Sequence, residues 1–166
     1  MSRVLFISDT HFAHKNIHKF RKGFASSKEH DEFLTGKITS FVKKRDVLWI
    51  PGDVCFNEEG LWCLREIRKC CNDIRWVLGN HDTESVVNIA IQERLVDHVY
   101  GFQKYKKSWV SHSPIHPNEL RGRINIHGHV HYATVDDPRY FNVCCENVNF
   151  TPIDYQQIIK GRTSND

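Results

Sequence analysis

Five short stretches of the chain crowd acids, amides and imidazoles together: SDTH (8–11), PGDV (51–54), LGNHD (78–82), SHSP (111–114) and HGHVH (127–131). They carry Asp9 and His11, Asp53, Asn80 and His81, His112, and His129 and His131. A turn needs Gly, Asn or Asp for backbone reasons, but it has no need of a histidine wedged between them. Carboxylate, imidazole and amide donors without a thiolate suit manganese, iron, zinc or a similar divalent ion such as nickel. Histidine is also plentiful, with eleven in 166 residues.

Something must hold these stretches in place. RVLFISD (3–9), DVLWI (46–50) and IRWVLG (74–79) read as buried strands, each a short apolar run closed by polar residues. Ser26 and Glu29 have capping-box spacing and predict a helix of about 15 residues, with Phe33, Leu34, Ile38, Phe41 and Val42 on its apolar face. Residues 58–71 and 84–95 read as two more helices, the first with Leu61, Leu64, Ile67 and Cys71 on one side. Strands alternating with helices predict a parallel sheet with right-handed crossovers. Past about residue 96 the pieces DHVYG, FQKY, SWVSH, RINIHG and YFNVCCENV are short and briefly connected, which predicts mostly antiparallel pairing. DYQQIIKG reads as a last helix and RTSND as a frayed tail. Each cluster then falls just past the C-terminal end of a strand, where open α/β sheets place their ligands. Gly52, Gly79 and Gly128 allow the tight turns needed there.

Composition sets the frame. At 40% hydrophobic and 26% charged residues, the chain reads as one soluble domain over 1–166 with a core of useful size. No apolar run reaches the length of a membrane span, and MSRVLFISD is too short and polar-ended for a signal peptide, so a cytoplasmic location is expected. If the chain is phage-encoded, that is the host cytoplasm. The net charge of +3 permits an anionic partner without requiring one. Six cysteines without a CxxC read as small reduced core residues rather than a zinc site or a disulfide frame. Trp49, Trp62, Trp76 and Trp109 lie in strand or helix patterns and are expected in the core.

The five stretches, in this order, resemble the pattern D-x-H, G-D, G-N-H-[DE], H, G-H-x-H of the calcineurin-like metallophosphoesterase superfamily, and SDTHFAHKNI looks like the opening of its small stand-alone bacterial and phage members. The resemblance implies a four-layer α/β/β/α sandwich of two mixed sheets and a centre of two divalent metals, manganese foremost. Asp9, His11, Asp53 and His131 would hold the first metal. Asp53, Asn80, His112 and His129 would hold the second, with Asp53 bridging. His81 would stand free of metal, facing the substrate as the catalytic group. Two carboxylates against two divalent ions leave such a site about two charges positive, which favours phosphate. In the reaction this implies, His81 stabilises the phosphoryl oxygens and protonates the leaving oxygen.

Other residues have plainer readings. Asp82 either orients His81 or favours the N-terminus of the helix at 84–95. His127 reads as structural, His14 and His116 could reach substrate, and His18, His30 and His98 have no assigned role. Cys55 faces either the metals or the core. The loop from Phe12 to Phe24 interleaves Lys15, Lys19, Arg21 and Lys22 with aromatics, which suits a nucleotide or single-stranded nucleic acid, or else a solvated face. Lys104, Lys106, Lys107, Arg121 and Arg123 add positive charge in the second half. The function expected is hydrolysis of a phosphate-ester substrate, with phosphodiesters ahead of monoesters. The alternatives are a phosphomonoesterase acting on nucleotides or phosphoproteins, and a non-catalytic binding module of the same fold.

Overall fold

The computed structural model describes residues 2–163, apart from the side chains of 161–163. In chain order the elements are β1 (Val4–Phe6), α1 (Ile17–Phe20), α2 (Ser27–Phe41), β2 (Val47–Pro51), α3 (Leu61–Cys70), β3 (Asp73–Val77) and α4 (Glu84–Gln92). Then follow β4 (His98–Tyr100), β5 (Gln103–Tyr105), β6 (Ser108–Val110), β7 (Ile124–His127), β8 (Tyr140–Asn142), β9 (Ile153–Asp154) and α5 (Tyr155–Thr163). They build two mixed sheets with helices, the α/β metallophosphoesterase-like sandwich that the resemblance implied.

The first sheet runs β4-β3-β2-β1-β9, parallel except for β9 against β1. Alternate residues of its strands serve two cores, as the period-2 geometry of a strand requires. Leu5, Leu48, Ile50, Ile74 and Trp76 face the helices and meet Leu34 and Ile38 of α2, Leu64 and Ile67 of α3, and Val86 and Ala90 of α4. Phe6, Trp49 and Val77 face the second sheet and meet Val110, Ile126 and Val143, with Tyr155 and Ile158 of α5 alongside.

The second sheet runs β5-β6-β7-β8, and here the structure corrects the expectation. Only β5–β6 is antiparallel; β6–β7 and β7–β8 are parallel, and β4 belongs to the first sheet. The connections at 111–123 and 128–139 are about a dozen residues each, long enough for a crossover. They carry loops and one 3-10 turn instead of helices, so no helical periodicity announces them.

The helix starts follow their sequence signals. Ser26 Oγ accepts the N–H of Glu29 at 3.1 Å, while the Glu29 carboxylate reaches back to the N–H of Ala25 at 2.6 Å. Phe33, expected on the buried face of α2, is 40% exposed and leans on Phe24 and Phe150 instead. Trp49 and Trp76 are buried as expected, Trp109 is half-buried, and Trp62 on α3 is exposed. Helix α5 runs two residues into the stretch expected to fray; 164–166 lie outside the described residues. Among the described residues, no helix is long and apolar enough to cross a membrane. All six cysteines are free thiols, and Cys55 points into the helix-side core, where burial pushes its thiol well up.

One ion pair ties the start of β1 to the turn before β2. Buried Asp46 accepts from the Arg3 guanidinium at 2.5 Å and from the backbone N–H groups of Arg3 and Lys43. Burial opposes its charge, but these donors win and hold its carboxyl below the ordinary 3.8. Stability from Asp46 is therefore fully present above pH 3.8 and is lost as pH falls through the lower folded value. Asp46→Asn should melt lower than the wild type at neutral pH, with the gap closing below pH 3.8. Thermal melts across that range check this; a gap unchanged in stronger acid would locate the effect in packing instead of charge.

Candidate metal centre

The five strand ends converge. Asp9 and His11 follow β1, Asp53 follows β2, Asn80 and His81 follow β3, His112 follows β6, and His129 and His131 follow β7. Two groups result: Asp9, His11 and His131, and Asp53, His112 and His129. Within each group one potential ligand atom per residue lies within 4.8 Å of the others. Asp53 Oδ2 joins the groups, 3.7 Å from His11 Nε2 and 3.4 Å from His112 Nε2. Asn80 Oδ1 lies 2.9 Å from His112 Nε2. All seven side chains singled out as metal candidates are thus brought together.

The backbone bends sharply to do this. Asp9, His11, Asp53, His129 and His131 all have left-handed φ, between 48° and 74° for the last two and 49° to 57° for the others. Each such non-glycine residue costs of order 1–3 kcal/mol, and clustering of such strain is characteristic of functional sites. The glycines contribute in two ways. Gly52 has φ +89, the turn role expected of it. Gly128 does not; a Cβ there would lie 2.0 Å from Ser8 Oγ and 2.1 Å from Asp9 Oδ2, so its role is close approach.

Hydrogen bonds aim the rings. His112 Nδ1–H donates to the Pro51 carbonyl at 3.0 Å, which leaves the Nε2 lone pair facing Asp53 and Asn80. His131 Nδ1–H donates to Glu146 Oε1 at 3.0 Å, leaving Nε2 facing Asp9. A carboxylate or carbonyl behind an imidazole fixes its tautomer and raises its basicity towards a metal. Glu146 also takes Arg21 Nε at 2.8 Å. Burial opposes its charge, but His131 and Arg21 hold its carboxyl down at about 2.

The acids at the centre are anionic. Burial raises Asp9, but the His11 ring 3.7 Å away, the Ser8 hydroxyl, the nearby His112 and the His129 N–H outweigh it and leave the carboxyl well below the usual range. Burial likewise opposes the charge of Asp53, but His112 and the His81 N–H bring its carboxyl down. Burial lowers His112, yet the carboxylates win and raise it. Asp9 Oδ1 and His11 Nε2 remain buried with no hydrogen-bond partner among the described residues. Orphaned polar atoms of that kind call for an explanation, and a bound cation between anionic oxygen and imidazole lone pair supplies one. The residues fit two metals.

Several neighbours differ from their sequence readings. Asp82 neither orients His81 nor caps α4, whose cap is Thr83. Its carboxylate accepts from Gly79 N, Trp76 Nε1, Asp53 N and Val54 N at 2.7–2.9 Å, and so clamps two strand-end loops together. Arg21, read as part of a basic wall, is buried; it bonds Glu146, His30 and the carbonyls of Asp9 and Thr10. His127 is buried and bonds the Gly128 carbonyl, and His116 caps a 3-10 turn. Cys144 Sγ lies 3.2 Å from Asp9 Oδ2. Sequence reasoning missed Glu146 and Cys144 because NVCCENV reads only as a strand.

His81 is exposed, with its ring 5.7 Å from that of His11 and 5.1 Å from that of Phe56. It opens onto a cavity of about 440 Å³ walled by His14, Ile17, Phe20, Phe56 and Tyr132, with His11 and His131 at its edge. A second cleft of about 410 Å³ adjoins Asn80, His112 and His129, walled by Leu78, Phe102 and Ile115.

The family model for calcineurin-like phosphoesterases matches residues 2–159. The chain belongs to the calcineurin-like phosphoesterase family. Among relatives of the phosphoesterase, protein MJ1445 of Methanocaldococcus jannaschii is 28% identical over 96% of this chain and 91% of its own length. The gene 66 protein of Mycobacterium phage L5 is 28% identical over 79% of this chain and 78% of its own. The crystal structure of protein AQ665 from Aquifex aeolicus matches at a TM-score of 0.73 and 23% identity, covering 96% of this chain and 99% of that one. At that identity the likeness is one of fold. Two divalent metals are typical of the family, and the phosphoesterase presents two side-chain groups able to hold them.

Proposed function

We propose that the phosphoesterase is a hydrolase of phosphodiesters, working as one domain over 1–166 with manganese as its first-choice metal. Asp9, His11, Asp53 and His131 hold one ion and Asp53, Asn80, His112 and His129 the other. When bound, two such ions acidify a water and stabilise the attacking and leaving oxygens of an in-line displacement. The observation that carries the diester reading is the pair of clefts flanking the centre, one beside each group. A phosphodiester has two substituents to place, and a monoester has one.

His81 is the general acid in this reading. Its backbone N–H donates to Asp53 Oδ1 at 2.9 Å, which fixes it against the carboxylate that lies between the two groups, while its exposed ring is free to reach a leaving oxygen. The test is hydrolysis of bis-p-nitrophenyl phosphate against p-nitrophenyl phosphate, with manganese added and with metal stripped. The diester is expected to turn over faster, and only with metal. His81→Ala should lose roughly 10²–10⁴-fold in rate while binding metal as the wild type does. Loss of metal in that variant would make His81 a ligand; faster turnover of the monoester would make the protein a phosphomonoesterase.

A further inference from the structure

We infer that the 440 Å³ cavity beside His81 is a subsite for an uncharged planar aromatic group, a nucleobase, carried by the departing substituent of the diester. This rests on the phosphodiesterase reading. The cavity falls within the range of volumes that small-molecule pockets have. Its walls are aromatic: the His14 and Phe56 rings meet edge to face at 4.3 Å, and Phe20 stands edge-on to His14 at 5.9 Å. Ile17, a buried side chain, completes this apolar part of the lining. Phe20 and Tyr132 are 68% and 66% exposed, the two most exposed large apolar side chains among the described residues, and both line this one cavity. Exposed aromatic rings lining one cavity are what a stacked base would cover.

Charge narrows the class. Arg21 is the one lysine or arginine in the lining, and its guanidinium is committed to Glu146, His30 and two backbone carbonyls. Lys15, Lys19 and Lys22 do not line the cavity. With no lysine or arginine free to pair with it among the described residues of the lining, a second phosphate on the departing substituent finds no side-chain clamp in the cavity, whereas a neutral base stacks. Hydrolysis adds the hydroxyl of water to phosphorus and breaks the P–O bond to the substituent in this cavity; the departing oxygen takes a proton from His81, and the proton released by the water restores His81 for the next turnover. The product released on this side is a nucleoside-type alcohol.

The experiment uses the manganese-loaded protein and two substrates, a dinucleoside monophosphate and its analogue with both bases removed. The wild type should prefer the first by about 10–100-fold in kcat/KM, the range expected of a base–aromatic stack. In Phe20→Ala/Tyr132→Ala that ratio should fall towards one. In parallel, saturation-transfer NMR with adenosine and with ribose, on metal-stripped protein, should show transfer to adenosine alone, and the double variant should abolish it. Equal turnover of both diesters by the wild type would overturn the subsite and leave the diesterase reading standing. Adenosine binding that depends on Phe20 and Tyr132 without turnover of either diester would do the reverse.

Discussion

Gly79→Ala is expected to cost the phosphoesterase about 100-fold in turnover, the scale of loss when a reacting group is misplaced by about 1 Å. A Cβ at position 79 would lie 2.3 Å from Asp53 Oδ1 and 2.5 Å from Asp53 N. The second of these is backbone, so no rotamer change relieves it. Asp53 cannot yield freely either, because its φ is left-handed and its N–H is held by Asp82. Gly79 N is held by the same carboxylate, so the two loops must part against a shared clamp. Overpacking of this kind costs about 1–3 kcal/mol in stability. Because Asp53 is the residue common to both proposed ion sites, manganese stoichiometry should fall together with the rate. Metal content by atomic emission and turnover of bis-p-nitrophenyl phosphate check it. Full metal content with an unchanged rate would show that the loop relaxes without moving Asp53.

The second large effect is on stability. Glu146→Leu removes the carboxylate that pairs with the Arg21 guanidinium, and both side chains are almost fully buried. Breaking a buried pair by deleting one partner costs about 3–5 kcal/mol, because the charge left behind is uncompensated. For a domain of this size that is a fall of roughly 6–20 °C in Tm. The double variant Arg21→Met/Glu146→Leu removes both charges and is expected to melt above Glu146→Leu. A double variant no more stable than the single one would mean that the Arg21 bonds to the Asp9 and Thr10 carbonyls, not the ion pair, carry the effect.

How much of this was legible beforehand follows from the range of the interactions involved. The first three strands were readable because each is an apolar run with a polar end, and the gathering of seven side chains was readable because each lies just past such a run. The parallel half of the second sheet was not, since its crossovers carry no helix. Arg21 and Glu146 were invisible for a related reason. They are 125 residues apart, and nothing local tells which of four cations in a loop folds inward. Asp82 was read by its neighbours in sequence, as orienting His81 or favouring the next helix, whereas its four donors come from β3 and the loops after β2 and β3. Phe33 and Trp62 lie at the margins of their helices' apolar faces, where helical spacing alone does not decide burial.

The centre lies across the seam between the two sheets. Asp9, His11, Asp53 and Asn80 ride on the first sheet, and His112, His129 and His131 on the second. What keeps the two halves at working distance is the layer of Phe6, Trp49 and Val77 against Val110, Ile126 and Val143, in a gap of about 10 Å. That layer acts as a shim. Its side chains touch no substrate, yet their summed thickness sets how far the histidines of one sheet stand from the carboxylates of the other. Evolution can therefore tune the spacing of the centre by trading volume in an apolar interior, without altering any of the seven side chains that converge there.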